Sequence, residues 1–184
     1  MQSLKDQERE RNYAEQSLCA LIERWYGSTH FKSIKPSTQT TYRRILEYMR
    51  AQPYAQFHVM KFKAVHIRQI LEARASTPAR ANHILRMFRI VFAYAIEIGW
   101  LESDPTVGVK RLKTKEEGVA AWTEEQIEQY ERRWPIGSRQ RLAFALLLYT
   151  GQRRSDVVEM GAFSIKDGAI RITQIKTGTY LEIP

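Results

Sequence analysis

Residues 150–156 read Thr-Gly-Gln-Arg-Arg-Ser-Asp and follow directly on the most apolar run of the chain, LAFALLLY at 142–149. An arginine held there by a helix end and a glycine keeps a permanent charge on a fixed backbone, and its fork matches two oxygens of a phosphate. Asp156 lies three residues beyond Arg153, within side-chain reach on a helical turn, and could orient the guanidinium. Lys176 opens a Lys-Thr-Gly turn between two alternating stretches. A hairpin tip can carry a lysine in and out of a site, and lysine can act as a general acid. Plainer readings stand beside these: a glycine-capped helix end followed by an acidic cap on the next helix, and a solvated turn lysine.

These side chains need elements to position them. Residues 12–27 have helical spacing, with Leu18, Leu21, Ile22 and Trp25 on one face and Gly27 as the stop. A second helix fits 38–50, with Ser37 as N-cap and Tyr42, Ile45, Leu46 and Met49 as its apolar stripe. Arg43, Arg44 and Arg50 lie off that stripe. A third fits 64–75 on Val65, Ile67, Ile70 and Leu71. A fourth starts at Thr77-Pro78 and runs to Gly99, with Leu85, Phe88, Phe92 and Ile96 as core. Residues 105–119 hold Pro105, Gly108 and Gly118 without a helical period and read as a linker. Beyond it, Thr123 with Gln126 forms a capping box for a helix to about 133. Another helix fits 138–150, and Ser155 is a candidate cap for a short one. Residues 169–173 alternate as a strand after the Lys166-Asp167-Gly168 turn, and Tyr180 begins a second strand. This second unit reads as an unfinished sheet domain.

The net charge of +9 is unevenly spread. Residues 32–89 hold twelve Lys and Arg against two Glu. Basic charge clustered on a folded unit is the footprint of a polyanion partner, most often nucleic acid. The candidate phosphate contacts are Lys32, Lys35, Thr41, Arg43, Arg44, Lys61, Lys63, Arg80, His83, Arg86 and Arg89. Lys110, Arg111, Lys113 and Lys115 in the linker could follow a phosphate backbone as well. The single cysteine, Cys19, excludes an internal disulfide. No His/Cys cluster or phosphate-cradling glycine motif supports a metal or nucleotide site, so no cofactor is expected. Neither a spanning segment nor a signal peptide is visible, and the expectation is a soluble intracellular protein.

Taken together, LLLYTGQRRSDVVEM, ITQIKTGTYLEIP, the AWTEEQI helix start and ANHILRMFRIVFAYAIEIGWLESDPTVGVKR resemble the tyrosine recombinase (phage integrase) family over residues 15–184. The resemblance implies a mainly α chain with a small β-hairpin or sheet. Its parts would be an N-terminal extension at 1–11, a four-helix SAM-like core-binding domain at 12–104, and an incomplete α+β catalytic domain at 120–184. That family cleaves DNA by tyrosine attack on a phosphodiester, leaving a 3′-phosphotyrosyl bond and a free 5′-hydroxyl, without metal or nucleotide. Carried over, Arg153 matches the arginine that clamps the scissile phosphate, Asp156 the supporting acid, and Lys176 the hairpin lysine that protonates the leaving 5′-oxygen. Arg154 matches no fixed role. The resemblance also implies double-stranded DNA held in a C-shaped clamp, self-association on it (tetramers in the family), and a bacterial or phage-encoded, nucleoid-associated protein.

The family further requires a His-x-x-Arg pair and a nucleophilic tyrosine after the hairpin. The one His-x-x-Arg in this sequence is His83-Ile84-Leu85-Arg86, inside the fourth helix and before the TG-x-R motif. Tyr149 and Tyr180 are expected to be packing residues. The chain by itself is therefore expected to bind DNA without cleaving it. Alternatives are a naturally truncated DNA-binding regulator and a helical protein-interaction module, for which Phe31, Tyr42, Tyr54, Phe57 and Phe62 among the basic residues would be suited.

Overall fold

The computed structural model describes residues 14–114 and 118–184. The expected extension at 1–11, the start of the first helix at 12–13, and Lys115 lie outside the described residues. The chain is mainly helical with one small antiparallel sheet, and it divides into two compact units at 116/117. Among the described residues, no helix is long and apolar enough to cross a membrane.

In the first unit, helix α1 spans Leu18–Gly27, not 12–27. Gln16 has φ 55°, and backbone bonds Leu18 N–H to Phe57 O and Val59 N–H to Gln16 O tie the chain to residues 57–59 before the helix can begin. The Ser17 hydroxyl then accepts the Ala20 N–H at 3.2 Å as N-cap. Gly27 is the last helical residue, and Ser28 closes α1 while capping a short helix the periodicity did not show, α2 at Thr29–Ser33. Helix α3 spans Pro36–Arg50, so Ser37 is not its cap. Pro36 sits at the first helical position, where a missing N–H costs nothing. Helix α4 spans Ala64–Glu72, with Val65 exposed rather than core.

Helix α5, Pro78–Glu97, is the spine of the unit. Ala81, Ile84, Leu85, Phe88, Val91, Phe92 and Ala95 recur at helical spacing and are fully buried. Phe88 stacks on Phe92 at 5.4 Å between centroids, and Phe62 tilts against both. Burying each such ring stabilises the fold by about 1.5–3 kcal/mol. Ile96 is exposed, not core, although its neighbour Ala95 is fully buried. Residues 106–112, expected as linker, belong to this unit: Thr106 and Val109 are buried, and the Asn82 side-chain amide both donates to Leu112 O and accepts from Leu112 N–H, each at 2.9 Å.

In the second unit, helix α6 spans Glu124–Arg133 and begins with the capping box: Thr123 N–H to Gln126 Oε1, and Gln126 N–H to Thr123 Oγ1. Helix α7, Arg139–Thr150, ends on Gly151 at φ 62°, whose N–H donates to Leu147 O. That left-handed cap is where glycine avoids a Cβ penalty. The LAFALLLY run of α7 is only partly buried. Phe144 packs on Trp122 and Tyr130, but Leu142, Leu147, Leu148 and Tyr149, spread around the helix, are exposed. Helix α8 spans Arg154–Val158; Arg153, not Ser155, holds its N-cap position. Strands β1 (Ile165–Lys166), β2 (Ala169–Thr173) and β3 (Tyr180–Ile183) form an antiparallel sheet in that order. Asp167 and Gly168 both have positive φ, which gives the β1–β2 turn the twist a two-residue hairpin needs.

Candidate functional site

The second unit brings Arg153, Asp156 and the Lys176 turn to one place. Asp156, on the first turn of α8, is 3% exposed. Its Oδ1 accepts the Ile175 backbone N–H at 2.9 Å, which fixes the turn carrying Lys176 against α8. Its Oδ2 is buried, has no hydrogen-bond partner among the described residues, and lies 3.9 Å from Arg153 Nη1. The acid therefore orients both partners: the hairpin by a direct bond, the guanidinium by charge. Arg153 keeps 46% of its side chain exposed, so it can meet a ligand from solvent. Lys176 is exposed, on a turn closed by Gly178 N–H to Gln174 O and Gln174 N–H to Thr179 O, both at 2.8 Å.

Two side chains that the sequence reading did not single out complete this cluster. Gln174 Oε1 accepts from Arg153 Nη1 at 3.3 Å and from the Thr177 hydroxyl at 2.8 Å, and its Nε2 donates to Gln152 Oε1 at 2.8 Å. Gln152 in turn donates Nε2 to Thr150 O at 3.1 Å. Their only sequence signal was position: Gln152 fills the variable place of TG-x-R, and Gln174 is the last residue before the turn. Arg154 and Ser155 face solvent. Tyr149 and Tyr180 are 75% and 59% exposed, so neither is the packing residue expected. Tyr149 lies in the last turn of α7 and Tyr180 opens the edge strand β3.

In the first unit the basic residues fall into separate groups. Arg44 from α3 and Arg80 and His83 from α5 line one groove with Tyr48, and Arg80 stacks over the Tyr48 ring at 4.1 Å. Arg86 and Arg89 line a second depression with His30. Arg86 donates to Tyr42 Oη on α3 at 2.8 Å and Arg89 to Val109 O at 2.9 Å, which ties both guanidinium groups to neighbouring segments. Arg43 lies over Tyr26 and Phe31, 4.3 and 4.8 Å from their centroids, near exposed Lys32 and Lys35. The Thr41 hydroxyl donates to Ser37 O. Lys61 lines a different groove, with Phe57, His66 and Arg74, and Lys63 holds the N-cap position of α4. Lys110, Arg111 and Lys113 follow the segment that Asn82 holds. No group of His, Cys, Asp and Glu able to hold a metal occurs among the described residues.

In the second unit an arginine, a buried acid and a lysine-bearing turn thus lie together. The chain is similar to phage integrases, in keeping with its resemblance to the tyrosine recombinase family. It is 27% identical over 172 residues to the integrase of Escherichia phage HK022, covering 91% of this chain and 47% of that protein. It is 29% identical over 106 residues to the integrase of Enterobacteria phage 434, covering 58% and 30%. The chain thus spans about half, or less, of the curated relatives it matches. Among solved structures it is similar to lambda integrase residues 75–356, a dimer bound to a COC′ core site, with TM-score 0.76 and 26% identity over 91% of this chain and 62% of that one. The lambda integrase tetramer bound to a Holliday junction shares the fold at TM-score 0.78 and 23% identity, covering 100% of this chain and 55% of that one. No family model matches the chain.

Proposed function

We propose that this chain is the DNA-holding part of a site-specific recombinase. The first unit supplies phosphate contacts, and the second supplies Arg153, Asp156 and Lys176 to the strand-transfer site. The observation that carries this reading is the Asp156–Ile175 hydrogen bond, which joins the TGQRRSD loop to the Lys-Thr-Gly turn. In this reading Arg153 holds the scissile phosphate, Asp156 keeps that guanidinium and the hairpin in place, and Lys176 protonates the leaving 5′-oxygen. The two units take opposite sides of a duplex as a clamp, and copies associate on DNA.

Residues 1–184 alone bind duplex DNA and do not cut it. A second arginine on the phosphate would have to come from a His-x-x-Arg pair, and the one in this sequence lies on α5, with Arg86 bonded to Tyr42. The test is fluorescence anisotropy on labelled duplex DNA across a salt series, with a nicked duplex that traps any phosphotyrosyl adduct. Steeply salt-dependent binding without an adduct is expected. Salt-independent affinity would sink the clamp, and an adduct on Tyr149 or Tyr180 would sink the non-cleaving assignment.

A further inference from the structure

We infer that Gln174 is a positioning residue that sets Arg153 and the Lys176 turn in one frame, so that its side-chain amide decides how well Arg153 meets a phosphate. The inference rests on the proposed role of Arg153 as a phosphate clamp. One oxygen, Gln174 Oε1, accepts from both Arg153 Nη1 and the Thr177 hydroxyl, and Thr177 directly follows Lys176. The same residue closes the turn with its backbone N–H and C=O. Its Nε2 is fixed by Gln152, which is itself tied to the end of α7 through Thr150 O. A chain of bonds therefore runs from the α7 cap through two amides to the guanidinium and the hairpin.

Geometry leaves the guanidinium its working edge. Among the described residues, the contacts of Arg153 to Gln174 and to Asp156 are both made through Nη1. The Nε–Nη2 edge, which can present a fork to a phosphate, takes part in neither contact. A neutral acceptor suits this task better than a second carboxylate. Asp156 already supplies the negative charge, and another acid beside Arg153 would compete with the phosphate for it.

The test uses the 184-residue chain and a short labelled duplex, comparing the parent with Gln174→Met, Arg153→Ala and the double variant. Gln174→Met removes no charge, so a merely structural role would leave the salt dependence of binding untouched. If Gln174 acts through Arg153, its loss weakens binding by about threefold at low salt and reduces the salt slope toward that of Arg153→Ala; the double variant then binds like Arg153→Ala alone. Gln152→Met shifts both quantities the same way by less, and serves as the second probe should Gln174→Met fold poorly. If Arg153→Ala weakens binding while Gln174→Met and Gln152→Met match the parent, the inference is wrong and the function stands. Equal weakening by Gln174→Met with and without Arg153 also overturns it. Parent-like binding by Arg153→Ala removes the phosphate-clamp reading itself, and this inference with it.

Discussion

Asp156 and Ile175 are joined by a 2.9 Å hydrogen bond across 19 positions of sequence, from a buried carboxylate to a backbone amide in the turn of a hairpin. The bond converts a local feature, an acid on the first turn of a short helix, into a long-range tie. Removing the acid should therefore loosen the hairpin more than the helix. Asp156→Ala is expected to lose about 1–3 kcal/mol, the range for stripping a buried partner from a hydrogen-bonded group. Asp156→Asn keeps an oxygen able to accept the same N–H and should lose less. Amide exchange at Ile175 and chemical denaturation of each variant check this. Unchanged Ile175 protection in Asp156→Ala would count against the tie.

A second prediction concerns alkali. Burial pushes the Tyr54 hydroxyl up to about 12, and burial together with the neighbouring Glu47 carboxylate raises Tyr26 further still. A raised folded-state pKa means that the folded state holds its proton after the unfolded state has released it. Stability from these two groups is thus complete below the ordinary tyrosine value near 10 and is lost as pH climbs toward about 12. Tyr54 Oη also has no hydrogen-bond partner among the described residues. Tyr54→Phe should therefore be neutral or stabilising by about 1 kcal/mol, and should flatten part of the alkaline loss. Melting temperatures of parent and variant between pH 8 and about 12 decide it; a steeper alkaline loss in Tyr54→Phe contradicts the argument.

Some of this architecture was legible in the chain. Thr77-Pro78, Thr123 with Gln126, and Lys-Thr-Gly are local signals whose physics sits within four residues, and each marks the boundary it suggested. Several of the differences share one cause, which is that long-range contacts overrode local pattern. Helix α1 starts late because Gln16 is turned to pair with Val59. Residues 106–112 look like a linker by composition, yet one asparagine on α5 fixes Leu112 and makes them part of the first unit. The run of α7 is the most apolar in the chain, but burial depends on what covers a side chain, and a sequence pattern does not carry that. Gln174 could not be found because an amide before a turn has no distinguishing local chemistry until Arg153 is placed beside it.

The Asn82–Leu112 pair gives a third prediction. Two hydrogen bonds at 2.9 Å hold the segment that bears Lys110, Arg111 and Lys113. Asn82→Ala should detach its far end at a cost of about 1–2 kcal/mol and leave buried Val109 as the anchor. Limited trypsin digestion reads this directly, because those three side chains are the cleavage sites. Faster cutting there, with the rest of the first unit intact, is the expected result. Cutting at the parental rate would show that the asparagine does not hold the segment.

A fourth prediction separates the basic groups. Arg44, Arg80 and His83 share one groove between α3 and α5, whereas Lys61 lines another beside Phe57 and Arg74. If the first groove meets the phosphate backbone, Arg44→Ala and Arg80→Ala should each weaken duplex binding uniformly across sequences and lower the salt slope by about one. Arg80 also packs over Tyr48, so its removal strips ring contact as well as charge. Arg80→Lys keeps the charge and should recover the slope while leaving melting slightly reduced. Lys61→Ala should change neither slope nor affinity beyond the small effect of net charge. Should Lys61→Ala lower the slope as much as Arg80→Ala, the DNA-facing surface would include the α4 groove, and the α3–α5 groove would lose its special standing.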